Sequence, residues 1–273
     1  MCLILFAYDP QASTPFIVAA NRDEFFNRAT APADFWEDNP NILAGKDLVG
    51  LGTWIGITKT GRFAAVTNVR EPGVVVEDAL SRGHLTRNFL AGTMSPQEYL
   101  EGILAEQMRY SGFNLLVGEF SSNNHQLYYL SNRHTGIIDI QPGIYGLSNH
   151  LLDSPWPKVT QGKQWLTNSM NKQQYTGIDH QQLRDFLEKP DLAEDALLPS
   201  TGVSYEREKA LSAAFIRIPN YGTRTSTVLE VSNEKIIFSE KNYTATDNLQ
   251  LAVEGEEKRF FIERGVEKAV AAL

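Results

Sequence analysis

A single cysteine in 273 residues, at position 2 and heading an apolar run, constrains this chain more than any other feature. It excludes an internal disulfide and any Cys-x-x-Cys metal or redox pair. The fold must rest on apolar burial alone, and a compact chain of this length can bury roughly 75% of its extended surface. A hydrophobic content of 42% with 21% charged residues supplies such a core. The formal charge of −8 repels phosphate, and no run of Lys or Arg offsets it locally, so nucleic acid is not an expected partner. The first residues carry no basic region and too short an apolar stretch for a secretion signal. No apolar run nears the ~20 residues that span a bilayer. The expectation is a protein of the cytoplasm without membrane insertion, a compartment where a free thiol persists. Nothing in the sequence fixes an oligomeric state.

Residues 2–8 and 16–20 are apolar runs of strand length, joined by the turn-forming Asp9-Pro10-Gln11-Ala12-Ser13-Thr14-Pro15. Pairing them as a hairpin centred near Ala12 sets Cys2 opposite Arg22. A second hairpin is predicted from Thr53-Trp54-Ile55-Gly56-Ile57-Thr58 and Phe63-Ala64-Ala65-Val66-Thr67, around Lys59-Thr60-Gly61, with the glycine supplying positive φ. Further strands are predicted at residues 113–118, 126–130, 136–140, 225–231 and 235–239, and around Phe260-Phe261-Ile262. Ser95-Pro96-Gln97-Glu98 is a capping box with proline at the first helical position, and Asp179-His180-Gln181-Gln182 reads as a second capping box. Residues 79–90 and 157–168 predict two more helices, and residues 266–273 a short terminal one. Strands in hairpins with helices grouped between them argue α+β and not alternating βαβ. No linker breaks the chain, so residues 1–273 read as one domain.

Cysteine is small enough at position 2 for methionine aminopeptidases to remove Met1. Cys2 would then carry a nucleophile and a base together, with an α-amine pKa of about 7.7–8.0 and a thiol pKa of about 8.5. Both lie near neutrality, as general acid–base work requires. Arg22 across the hairpin would favour thiolate. Taken alone, a cysteine in an apolar strand is more often a small buried hydrophobe. Likewise, Asn21-Arg22-Asp23-Glu24 at a strand end would ordinarily meet solvent.

Those four residues, however, resemble the signature that names the NRDE family, also called the transport and Golgi organization protein 2 family. The resemblance continues through Arg28-Ala29-Thr30, Gly52-Thr53-Trp54-Ile55-Gly56 and Thr67-Asn68-Val69-Arg70. It runs on through Ser81-Arg82-Gly83, Gly112-Phe113-Asn114-Leu115, Gly146-Leu147-Ser148-Asn149 and Pro155-Trp156-Pro157-Lys158. It ends in Tyr221-Gly222-Thr223-Arg224-Thr225-Ser226-Thr227-Val228. The resemblance implies an N-terminal nucleophile hydrolase-like, four-layer αββα sandwich. It also implies chemistry similar to the choloylglycine hydrolase and penicillin V acylase group. Those enzymes cleave amides with an N-terminal Cys, an Arg, an Asp, two Asn and a late Arg. By that resemblance Cys2 matches the nucleophile, Arg22 the first arginine and Asn68 the asparagine beside the oxyanion. Asn149 matches the second asparagine and Arg224 the late arginine. The aspartate of the acylases falls three residues after the arginine, where this chain has Phe25. Asp23 is the nearest acid, and Glu24 is the other candidate.

Amide hydrolysis needs a nucleophile, a base and donors aimed at the developing oxyanion, and an Asn amide is such a donor. Trp54, Arg70 and His150 complete the expected site as substrate-binding residues, with Arg70 available for a substrate carboxylate. The first functional reading is an amidohydrolase cleaving a linear or acyl C–N bond of a small molecule through a thioester on Cys2, with no metal and no cofactor. The second is a non-catalytic carrier of haem, or of a lipid or acyl thioester, using the same cavity. A haem carrier needs an axial ligand, and His150 beside Asn149 is the best-placed histidine. Plain structural roles stay open for Asn68 and Asn149 as turn residues and for Arg224 as a solvated strand entry.

Overall fold

The computed structural model describes residues 2–121, 124–173, 178–245 and 252–264. The first hairpin forms as its apolar runs require: β1 (Cys2–Tyr8) and β2 (Phe16–Phe25) pair antiparallel, with Cys2 opposite Arg22. β2 continues past the apolar run through Asn21-Arg22-Asp23-Glu24. β3 (Thr30–Phe35) and β4 (Ile42–Asp47) form a pair that the sequence hides. Pro32 stands within β3, and the register slips between Ala31 and Asp34, so the proline sits where no ladder bond is needed. β5 (Ile55–Thr58) and β6 (Arg62–Asn68) are the second hairpin, with Gly61 at φ +89° in its turn.

α1 (Arg82–Ala91) begins at Arg82, not at residue 79. α2 (Pro96–Glu106) starts on the capping box: Ser95 Oγ accepts from the Glu98 N–H, and the Glu98 carboxylate accepts from the Ser95 N–H. β7 (Phe113–Phe120), β8 (His125–Ser131) and β9 (Ile137–Asp139) follow as a meander, then β10 (Gly143–Leu147). α3 (Pro157–Gln173) precedes α4 (His180–Leu187), whose cap Asp179 accepts from the Gln181 N–H, and the short α5 (Tyr205–Ala210). The chain closes with β11 (Arg217–Ile218), β12 (Tyr221–Val231), β13 (Lys235–Ala245) and β14 (Ala252–Glu263), the last containing Phe260-Phe261-Ile262. The terminal helix predicted at residues 266–273 lies outside the described residues.

Among the described residues the strands form two antiparallel sheets of seven. One runs β10-β1-β2-β12-β13-β14 with β11 beside β12, and the other runs β3 to β9 in chain order. The sheets pack face to face through Ile4, Phe6, Phe16 and Val18 on one side and Ile55, Phe63 and Leu116 on the other. α1 and α2 cover the outer face of the second sheet through Leu85, Phe89, Leu100 and Ile103. α3 and α4 cover the first through Val159, Leu166, Leu183 and Phe186, against Leu3, Leu5 and Ile17. The result is the αββα layering. Each fully buried Leu, Ile or Phe contributes ~1.5–3 kcal/mol, so the layers need no cross-link.

Strand alternation now assigns sides. Ile4, Phe6, Val18 and Ala20 face the opposing sheet, while Leu3, Leu5, Ile17 and Ala19 face the helices. The same period sends Cys2, Arg22 and Glu24 between the sheets, and Asn21 and Asp23 towards the helical layer.

Candidate active site

Cys2 lines a cavity of about 390 Å³ between the two sheets, together with Arg22, Asp23, Glu24, Trp54 and Asn68. The thiol and Arg22 come from the paired ends of β1 and β2. Asn68 comes from the end of β6 on the opposing sheet, and Trp54 from the residue before β5. The start of α1 forms another wall. A Cβ on Gly52 would lie 2.4 Å from the Gly83 carbonyl carbon, so only glycine lets these backbones meet. Arg82 and Gly83 thereby line the cavity.

Asn149 is fully buried and lies outside the cavity lining; it acts on the residues that line it. Its Nδ2 donates to the Asn68 carbonyl at 2.9 Å, and its own carbonyl accepts from the Arg70 N–H at 2.7 Å. The neighbouring Ser148 Oγ donates to the Cys2 carbonyl at 2.9 Å, and the Ser148 carbonyl accepts from Thr67 Oγ1 at 2.7 Å. Residues 148 and 149 therefore hold the Cys2 strand and the Asn68 strand at once.

The charges around the thiol are paired. Arg22 is 8% exposed, with Nη2 3.3 Å from Asp47 Oδ2 and 3.7 Å from Glu24 Oε2. Arg28 Nε lies 2.7 Å from the same Asp47 oxygen. Burial raises the Asp47 pKa, but the Arg28 hydrogen bond and the N–H groups of Gly50 and Val49 outweigh it and leave the carboxyl below its ordinary value. Burial pushes the Cys2 thiol up, Asp23 and Glu24 push it the same way, and Arg22 opposes them. A thiol held in this state needs a base before it can attack.

Behind the thiol lies a buried network. Thr223 Oγ1 donates to Asp23 Oδ1 at 2.7 Å, and Tyr221 Oη donates to the Asp23 carbonyl at 3.0 Å. Burial raises the Asp23 pKa, while Lys158, Thr223 and Arg70 lower it. Burial pushes Lys158 down to about 8 against the pull of Asp23, and its Nζ donates to the Leu211 carbonyl at 3.1 Å.

The structure thus brings Cys2, Arg22, Asp23, Asn68 and Trp54 to one cavity and sets Asn149 directly behind them. Three other predicted residues are elsewhere. Arg224 Nη1 donates to the carbonyls of Phe25 and Arg28 at 2.8 and 3.1 Å, so it wraps the turn after β2. Arg70 forms a buried ion pair with Glu208 at 2.6 Å and stacks 4.7 Å from the Trp156 ring centre. His150 is exposed, with Nδ1 2.7 Å from Ser154 Oγ, and none of the five histidines lines the cavity. Sequence reasoning assigned no role to Arg28, Asp47, Arg82 or Lys158. Arg28, Arg82 and Lys158 stood in the matched blocks, but their directions depend on packing. Asp47 belongs to a strand that the sequence did not reveal. Among the described residues no cluster of three or more His, Cys, Asp or Glu side chains is placed to hold a metal ion, and no helix is long and apolar enough to cross a membrane.

A cysteine-bearing cavity between two sheets, flanked by helices, defines the class by architecture. Comparison with known proteins gives the family: the Transport and Golgi organisation 2 model matches residues 1–245, and the chain belongs to that family. The mouse Transport and Golgi organization 2 homolog is 34% identical over 266 residues, covering 90% of this chain and 95% of that one. The Drosophila melanogaster Transport and Golgi organization protein 2 is 30% identical over 300 residues, covering 99% and 100%. Among solved structures, a conjugated bile acid hydrolase mutant from Clostridium perfringens is 12% identical, with a TM-score of 0.42 over 95% of this chain and 96% of that one. An N-acylethanolamine-hydrolyzing acid amidase ortholog from Caenorhabditis elegans is 11% identical, with a TM-score of 0.39 over 84% and 92%.

Proposed function

We propose that this chain is an amidohydrolase that cleaves a linear or acyl C–N bond of a small molecule, with Cys2 as nucleophile once Met1 has been removed. The observation that carries the reading is the register of the first hairpin. It sets the Cys2 thiol beside Arg22 inside a cavity, with Asn68 facing them from the other sheet. The freed α-amine of Cys2 takes the thiol proton, and Sγ attacks the substrate carbonyl carbon. Asn68 donates to the oxyanion that forms. The C–N bond then breaks, the departing amine receives the proton, and a thioester remains on Cys2. Water, deprotonated by the same amine, attacks the thioester and releases the acid and the thiol. Arg22 favours the thiolate through its charge, and Asp23, adjacent in the chain, is the acid that orients the amine. Burial pushes the thiol up, and a base within the same residue answers that need.

Two measurements test the reading. Intact-protein mass spectrometry is expected to find Met1 absent, and a retained Met1 would sink the free-amine mechanism. An electrophilic acyl probe is expected to label the wild type and not Cys2→Ala, with the two proteins melting within ~2 °C of each other. Equal labelling would remove Cys2 as nucleophile.

A further inference from the structure

We infer that Glu240 and Thr225 form a distal subsite of the cavity, one that binds a neutral hydroxyl or carboxamide group at the far end of the substrate's acyl chain. Both residues line the cavity. Thr225 is the β12 partner of Arg22, Thr227 is two residues further along the same face, and Glu240 of β13 is directly opposite Thr227. Among the described residues Thr225 Oγ1, Thr227 Oγ1 and Glu240 Oε2 are buried and make no hydrogen bond. Three such atoms side by side on one face are costly unless something bonds to them.

Glu240 has a structural duty: its carboxyl accepts from the Ala33 N–H and also interacts with the Asn242 side chain. The slip in β3 frees the Ala33 N–H from its ladder, and that N–H donates to Glu240 Oε1 at 2.7 Å. The other oxygen is aimed at the cavity wall at Gly45, where a Cβ would lie 3.6 Å from it. Glu240 itself is 1% exposed.

The geometry selects the end of the ligand. Three inter-strand spacings and two residues separate Glu240 from Cys2, which places their backbones about 16 Å apart. Gly50 of the lining is flanked by the exposed side chains of Leu48, Val49 and Leu51, whereas Glu240 is buried, so we take the Gly50 side as the mouth and the Glu240 side as closed. The amine must leave by the mouth so that water can enter, while the acyl part stays bound through the thioester stage. The closed side therefore suits the acyl end.

Charge selects its chemistry. The burial that raises the Glu240 pKa penalises any charged group beside it, and the cations of Arg22 and Lys258 acting on the same carboxyl further disfavour an ammonium. A hydroxyl or carboxamide both donates and accepts, as a carboxyl flanked by two hydroxyls requires.

The word substrate rests on the hydrolase reading, so the test is made by binding. Calorimetry would compare decanamide with its ω-hydroxy counterpart on Cys2→Ala protein, which cannot turn either over. The hydroxy compound is expected to bind about tenfold tighter. Adding Thr225→Val should cut that ratio to about threefold, adding Glu240→Met should abolish it, and adding Glu240→Gln should retain it. Thr225→Val removes an unbonded hydroxyl, so it keeps the test decisive even where Glu240→Met fails to fold. A ratio near one on Cys2→Ala, or an unchanged ratio in Thr225→Val, would overturn the subsite. A wild type that binds with this preference but hydrolyses neither amide would overturn the hydrolase reading alone.

Discussion

The four residues Asn21 to Glu24 divide between two environments, because a strand sends neighbours to opposite faces. Arg22 and Glu24 look between the sheets into the cavity, where their charges meet Asp47 and Arg28. Asn21 looks the other way into a buried layer, and Asp23, bonded there by Thr223, also lines the cavity. There Asn21 Nδ2 donates to the carbonyls of Leu187 and Ala214 at 2.7 and 2.9 Å, and Asn21 Oδ1 accepts from Ser226 Oγ at 2.6 Å. One side of β2 presents charge to a ligand, and the other fastens the strand to α4 and β12. A single motif therefore carries a reactive half and a structural half, and substitutions should separate them.

On the cavity side, Asn68→Ala is expected to lower turnover of an acyl amide by about 10²–10³-fold, the usual cost of one oxyanion donor, while the melting temperature moves by ~2 °C or less. A large fall in melting temperature would place Asn68 with the structural half. On the buried side, Asn21→Ala leaves two carbonyls and a hydroxyl without their partner. A loss of ~2–4 kcal/mol is expected, lowering the melting temperature by about 5–10 °C, and residual folded protein should keep its probe labelling. Selective loss of labelling without destabilisation would erase the division.

A smaller effect tests the charge behind Asp23. Lys158 is held near pKa 8 in the fold and returns to about 10.4 when unfolded. Between those values the unfolded chain binds a proton that the folded chain lacks, so this group makes stability rise with pH. The melting temperature of the wild type relative to Lys158→Met should therefore climb by about 3 °C from pH 8 to pH 10, and a flat difference would refute it. The smallest effect belongs to His150. It is exposed and outside the cavity, so His150→Ala should change stability by less than ~0.5 kcal/mol and leave acyl labelling intact. A haem titration altered by that substitution would revive the carrier reading.

Much of this arrangement was legible beforehand. The proline-containing turn around Ala12 fixed the Cys2–Arg22 pairing, and the hairpin around Gly61 put Asn68 at a strand end. The Asp47 clamp was not legible. β4 is short and ends in Lys46-Asp47, and its partner β3 contains Pro32 and a slipped register, so neither shows a clean alternation. Arg70 and Arg224 show a different gap. Their neighbours in sequence were read correctly, but whether a guanidinium turns to a cavity, a glutamate or a row of carbonyls is decided by residues 138 positions away in the case of Glu208. Lys158 was hidden for a related reason: a lysine in the first turn of a helix ordinarily reaches solvent, and only the docking of α3 on the first sheet buries it.

The bonds made by Ser148 and Asn149 carry a mechanical consequence. Ser148 grips the Cys2 backbone and Thr67, and Asn149 grips Asn68, so one dipeptide rivets the two sheets together beside Cys2 and Asn68. Sliding either sheet by one residue would shear the bonds to Thr67 and Asn68 together. The gap between Cys2 and Asn68 is thus set as a fixed gauge, and room for ligands of different length must be found at the opposite end of the cavity.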